Sequence, residues 1–180
     1  MELTEIQLRK LVERVMELTL EMAGRTAKKE VLVVLSGYNA PKFYELLKTL
    51  KVNDKYKITV VVTKEQMDYE EVGKTVCEFA DKIVTPKEVL SIPLKYESII
   101  FPAMPRDVLA KCALCIPDTY EVMIVQRAIE EEVLVQIANK AFSKFTGREP
   151  KSYQDKILGY IRTLIEFGIE IQVDFDTEKR

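Results

Sequence analysis

Four short stretches carry the residue types that suit a polar, planar ligand. Val31 to Pro41 reads Val-Leu-Val-Val-Leu-Ser-Gly-Tyr-Asn-Ala-Pro, an apolar run ending in a Ser-Gly turn that opens a helix. Backbone N–H groups at such a helix start, with the Ser36 hydroxyl and the bare backbone of Gly37, suit a phosphate or the polar edge of a ring. The same residues also make a tight strand-to-helix turn capped by Asn39, so both readings stay open here. Thr63 ends a second apolar run and heads Thr63-Lys-Glu-Gln66, a capping box whose hydroxyl faces the positive end of a helix. After a further run, Ser98 to Phe101, the loop Pro102-Ala-Met-Pro-Arg-Asp107 puts two prolines and a methionine beside a charged pair. Rigid apolar residues offer a wall to a flat ring, and Arg106 and Asp107 add a charge and an acceptor beside it. None of these loops is a Walker or GxGxxG sequence, which argues against nucleoside triphosphates and dinucleotides.

The fourth stretch holds Cys112 and Cys115, three apart in a helical segment, followed by Ile116-Pro-Asp118. A redox pair would need thiolates favoured by positive neighbours such as Lys111. The simpler reading makes both cysteines small hydrophobes in a tight helix contact, and Asp118 a helix cap. The chain has no histidine, which removes the usual general base, metal ligand and partner of a nucleophilic serine or cysteine. Three cysteines do not supply the four thiolates of a common iron–sulfur cluster, and an odd number fits a reducing compartment.

The elements that must position these residues follow from patterning. With 180 residues and 47% apolar content, the chain is long enough for one domain with a real core. Short β-branched runs near Val31–Leu35, Ile58–Val62, Lys82–Val84, Ser98–Phe101, Val133–Ile137 and Ile169–Val173 alternate with amphipathic segments near Pro41–Leu50, Lys64–Ala80, Arg106–Leu114, Thr119–Glu131 and Ser152–Phe167. Thr85-Pro-Lys-Glu88 adds a second capping box, with proline at the first helical position. This alternation predicts an α/β fold, a three-layer αβα sandwich around a parallel sheet, Rossmann- or flavodoxin-like. The loops after the strands then lie along one edge of the sheet, where such folds bind nucleotides and flavins. Ahead of this domain, residues 1–24 read as an amphipathic helix with Ile6, Leu11, Val15, Leu18 and Met22 on one face; 25–30 read as a linker and 31–180 as the domain.

Charge and apolar runs bound the partners. Lys and Arg total 27 against 29 Asp and Glu, so no positive field invites nucleic acid. The longest apolar runs are far short of a bilayer span, and Met-Glu-Leu-Thr-Glu is acidic where a secretory signal is basic; a cytoplasmic protein is expected.

The run Pro102-Ala-Met-Pro-Arg-Asp-Val-Leu-Ala-Lys-Cys-Ala-Leu-Cys-Ile-Pro-Asp118 resembles the P-x-x-x-x-N-T-x-A-K-x-A-x-G-I-A-D-N pattern of the flavoproteins that include the homo-oligomeric flavin-containing cysteine decarboxylases, the flavoprotein-like subunit of dipicolinate synthase and dihydromethanopterin reductase. The likeness spans most of residues 31–173. It implies FMN as cofactor, with Ser36, Gly37 and Asn39 lining the flavin site, Thr63 at its phosphate region, and Pro102, Ala103, Met104, Arg106 and Asp107 around the ring system. Lys111 and Asp118 match the family's Lys and Asp, whereas Cys115 stands for its Gly and Pro117 for its Ala. The histidine and the P-x-M-N motif of the decarboxylases are missing; Val133-Leu-Val-Gln-Ile-Ala-Asn-Lys140 stands in the latter's place. Decarboxylation is therefore not expected, and the resemblance implies a flavin-dependent oxidoreductase or electron carrier, homo-oligomeric as a trimer or a multiple of trimers. The alternative is a non-catalytic assembly protein that keeps the fold. The leading helix looks like the short helices that target enzymes to bacterial microcompartments, which implies a shell or cargo partner there.

Overall fold

The computed structural model describes residues 28–172. The expected amphipathic helix over 1–24 lies outside the described residues, as does Val173 at the end of the last expected strand. The first strand starts inside the expected linker, at Lys29. The elements run β1 (Lys29–Val34), α1 (Ala40–Val52), β2 (Tyr56–Val61), α2 (Lys64–Asp68), α3 (Glu70–Phe79), β3 (Lys82–Val84), α4 (Pro86–Leu90), β4 (Ser98–Phe101), α5 (Arg106–Ala113), α6 (Tyr120–Glu130), β5 (Leu134–Ala138), α7 (Lys151–Glu166) and β6 (Glu170–Gln172). A single 3-10 turn, Asn139–Ala141, follows β5.

All strands pair in parallel, in the order β3-β2-β1-β4-β5-β6. The alternation along β1 shows why helices must cover both faces. Val31, Val33 and Leu35 point into one core with Phe43, Leu47 and Leu50 of α1 and Val72, Val76 and Phe79 of α3. Leu32 and Val34 point into the other, with Ile99 and Phe101 of β4, Leu109 of α5, Ile124 of α6 and Leu164 of α7. Each of these side chains is 8% exposed or less, and burying one contributes about 1.5–3 kcal/mol. The three-layer sandwich expected from the patterning is the fold observed.

One expected element divides in two. The predicted helix over Lys64–Ala80 breaks at Tyr69, which takes extended backbone with φ −79° and ψ 109°. The close packing of Gly73 against the end of α2 goes with this break: a Cβ there would sit 2.5 Å from the Met67 carbonyl oxygen. A continuous helix would carry the residues before Tyr69 along one axis. The break instead turns α2, and Gln66 within it, toward the ends of the strands.

Candidate active site at the carboxyl edge of the sheet

The order of the strands places β1 beside β4, and the chain leaves β1 toward the α1 layer but β4 toward the α5 layer. In open α/β sheets such a divergence marks the crevice outside the carboxyl ends of the two strands as the usual ligand site. Ser36 to Asn39 and Pro102 to Pro105 are the two loops that leave it, and Thr63 follows β2 on the adjoining edge.

Gly37 has φ +71°, a left-handed conformation that needs glycine, and Pro105 Cγ lies 3.8 Å from where its Cβ would be. Ser36 is 1% exposed. Asn39 caps α1, its Oδ1 accepting from the Lys42 amide at 3.2 Å. The Ala40 amide donates to the Tyr38 carbonyl, the Phe43 amide to the Asn39 carbonyl, and Pro41 has no N–H. The first turn of α1 thus keeps its own donors, contrary to the expectation of a helix start free to take a phosphate. Lys42 reaches from that turn to the Ala141 carbonyl at 2.9 Å, and burial lowers the pKa of its ammonium.

Thr63 is the helix cap the sequence predicts: its hydroxyl accepts from the Gln66 amide at 3.2 Å, and Gln66 Oε1 accepts from the Thr63 amide at 2.9 Å. The other end of Gln66 does more. Its Nε2 donates to the Leu35 carbonyl at 3.2 Å and the Gly37 carbonyl at 2.8 Å, which ties the β2 edge to the β1 loop.

Pro102, Ala103 and Met104 are buried and form one wall, held by the Met104 amide on the Ala141 carbonyl at 3.1 Å. Arg106 is engaged by the segment that follows β5. Its guanidinium lies 5.0 Å from the Phe145 ring centre and 5.7 Å from that of Tyr153, donates to the Lys144 carbonyl at 3.2 Å, and stands 3.5 Å from Glu149. Those contacts commit Arg106 to the segment between β5 and α7. Asp107 is exposed in the first turn of α5, and Lys111 pairs with Asp118 at 3.1 Å. Ser36, Gly37 and Asn39 thus follow β1 and Pro102 to Met104 follow β4, with Thr63 after the neighbouring β2, while Arg106, Lys111 and Asp118 bond elsewhere.

Cys112 is buried, and that burial pushes its thiol up to about 12, which leaves little thiolate near neutrality. Cys115 is exposed and left-handed, φ +55°, at the end of α5. The Ile116 amide returns to the Lys111 carbonyl and the Cys115 amide to the Cys112 carbonyl, the paired bonds of a Schellman exit whose left-handed residue is ordinarily glycine. The backbone turn therefore survives with cysteine in the glycine position. Cys112 fills a contact as the simpler reading has it; Cys115 forms a turn instead.

Two side chains that bond to the β1 loop were not read from the sequence. The Tyr120 hydroxyl donates to the Leu35 carbonyl, and the Ser36 hydroxyl donates to Glu121 Oε1 at 3.1 Å. Burial raises the Tyr120 phenol. Thr119, which heads α6 beside them, has a buried hydroxyl with no partner. The signal for Glu121 lies in the spacing: with Ile124, Val125 and Ala128 it makes a core-facing helical stripe, on which a carboxylate is out of place.

No family model and no curated relative matches the chain. Solved structures do. The dodecameric FMN-dependent UbiX-like decarboxylase of Escherichia coli O157:H7 is 14% identical over 84% of this chain and 85% of that one, with a TM-score of 0.61. TvaF, an FMN-dependent cysteine decarboxylase of thioviridamide biosynthesis, is 14% identical over 83% and 92%, with a TM-score of 0.62. AnUbiX, crystallised with FMN and dimethylallyl pyrophosphate, is 13% identical over 80% and 77%, with a TM-score of 0.57. The molecule thus has the α/β flavodoxin-like fold seen in these FMN-dependent proteins. Among the described residues no helix is long and apolar enough to cross a membrane.

Proposed function

We propose that the protein binds FMN at the β1–β4 crevice and serves as a flavin-dependent oxidoreductase or electron carrier. The observation that carries this reading is the meeting of a buried hydroxyl, a left-handed glycine and a rigid apolar wall at the point where the chain diverges from the sheet. Thr119 adds a buried hydroxyl without a protein partner at the head of α6. The likeness to structures described as FMN-dependent supports the choice of cofactor.

In this reading Pro102, Ala103 and Met104 lie against the ring system, Ser36 and Gly37 meet its polar edge, and Thr63 stands at the phosphate end. When bound, the flavin supplies reversible hydride or electron transfer. The chain supplies the positioning: its prolines fix the wall, and the Gln66 and Tyr120 bonds to the Leu35 carbonyl hold the β1 loop still. With no histidine in the chain, the histidine of the decarboxylase pattern has no counterpart here. The chain assembles as a homo-oligomer, as the dodecameric neighbour does.

The purified protein is expected to be yellow, or to quench FMN fluorescence on titration, and to run in light scattering at a multiple of the single-chain mass. A colourless protein with no measurable FMN affinity overturns the flavin reading. A monomer that still binds FMN overturns only the assembly.

A further inference from the structure

The α5–α7 side of the molecule keeps more apolar surface than its own packing uses. Among the large aliphatic side chains left exposed, α6 and α7 carry Met123, Ile129, Leu158 and Ile165, whereas α1 carries Val52 at its very end. Between α5, α6 and the exit of α7 runs a groove of about 300 Å³ whose lining includes Cys115, Val122, Val125, Ile129 and Phe167. The polar side chains in that lining, Gln126 and Glu130, bond to each other at 3.0 Å across one helical turn and leave the rest apolar. Ile129 is 42% exposed and Phe167 38%. Both also line the adjoining hollow with Val133 and Leu134, so the apolar surface continues to the amino end of β5. A contiguous apolar surface of this kind marks a contact site.

The chain itself holds a matching segment. Residues 1–27 precede the described ones, and in them Leu11, Val15, Leu18 and Met22 recur at the three-and-four spacing of one helical face, with Lys10, Glu13 and Glu17 opposite. Most of the stability of such a helix comes from packing its apolar face. The tether is short and leaves from the right edge. β1 begins at Lys29, and only β4 separates it from β5, which puts the amino ends of β1 and β5 about 10 Å apart at the usual strand spacing. Gly24 to Lys28 reach about 13 Å when extended. So short a link holds the segment at millimolar effective concentration beside the groove, well above that of a second copy in dilute solution. We propose that residues 8–22 form a helix whose stripe from Leu11 to Met22 fills the α5–α6–α7 groove of its own chain. The groove opens toward the amino ends of the strands, opposite the β1–β4 crevice, so this docking does not depend on the flavin reading.

Cys115 lines the groove and is exposed, so it reports the occupant through disulfide formation, which needs Cα atoms about 4.4–6.8 Å apart. In the full chain carrying Cys77→Ser, the variants Leu11→Cys, Val15→Cys, Leu18→Cys and Met22→Cys are oxidised mildly one at a time, beside Glu13→Cys and Glu17→Cys from the polar face. Mass spectrometry then maps the linked peptides. At least one apolar-face position is expected to link to Cys115 within a single chain, while the polar-face positions give no such link. Ile129→Glu changes an exposed side chain and sets a charge in the groove, so it should abolish the link. Amide exchange of the unmodified chain checks the same claim without added cysteine: residues 8–22 should exchange at least about tenfold more slowly than an unstructured peptide. Links between two chains mean that a second copy fills the groove and overturn the proposal. No link from the apolar face, equal linking from both faces, or unprotected amides over residues 8–22 overturn it as well.

Discussion

A single left-handed residue shows how much a turn can ask of a side chain. Cys115 ends α5 with φ +55° in a Schellman exit, where a Cβ crowds the backbone and glycine is the ordinary occupant. Cys115→Gly should therefore stabilise the protein by about 1 kcal/mol in urea denaturation, despite the added freedom it gives the unfolded chain. A loss of stability would mean that the exposed thiol makes a contact worth more than the strain. Residue by residue, the sequence exposed local capping at three positions and missed at a fourth: Asp118, read as a helix cap, lies ahead of Thr119, which heads α6 without a side-chain cap bond, and pairs with Lys111 instead. Thr63, Thr85 and Asn39 cap as their neighbours predict, because a cap is a local bond between residues three apart. Roles that depend on a partner far along the chain stayed hidden. Ser36 and Glu121 are 85 positions apart, and Arg106 finds Lys144 only after 38. The expectation that Arg106 stands beside a ring ligand came from its place in the loop, whereas its two aromatic neighbours come from a segment whose path the sequence does not reveal.

At the scale of elements, the α2–α3 break is what brings Gln66 to the β1 loop. The pattern of Lys64–Ala80 reads as one helix, since both halves keep the helical period and neither proline nor a second glycine marks a stop. The signal was Gly73 itself, present for close approach and not for a turn. Gly73→Ala would place its methyl carbon 2.5 Å from the Met67 carbonyl oxygen, so α2 or α3 must shift. Overpacking of this kind costs about 1–3 kcal/mol. Thermal unfolding is expected to show that loss, together with weaker FMN binding as Gln66 is displaced. Unchanged melting would mean that the two helices slide apart freely. The strands were legible to within a residue or two because burial on both faces forces unbroken apolar runs, as in β1, β2 and β4.

For the molecule as a whole, acid stability depends on a loop that binds its own carboxylate. Glu149 accepts from the Thr146 amide at 3.0 Å, the Thr146 hydroxyl at 3.0 Å and the Gly147 amide at 3.1 Å, with Arg106 close by. These bonds, the Thr146 amide first, lower its pKa from 4.5 to about 2. The unfolded chain therefore binds more protons in that interval: the stabilisation is complete above the ordinary carboxyl range and is lost as pH falls through about 2. Glu149→Gln should flatten the acid side of the stability curve between those limits while leaving its slope near neutrality unchanged. Identical acid profiles would show that the loop does not hold this geometry in solution. The strand order has a last consequence for how the chain comes into being. β1 occupies the middle of the sheet, yet its second neighbour begins only at Ser98. Until the ribosome has delivered that residue, a strand whose last four residues are all buried in the native sheet stands with one row of amides and carbonyls unmet. A transcript stopped short of Ser98 would thus yield a fragment primed to stick to its own kind.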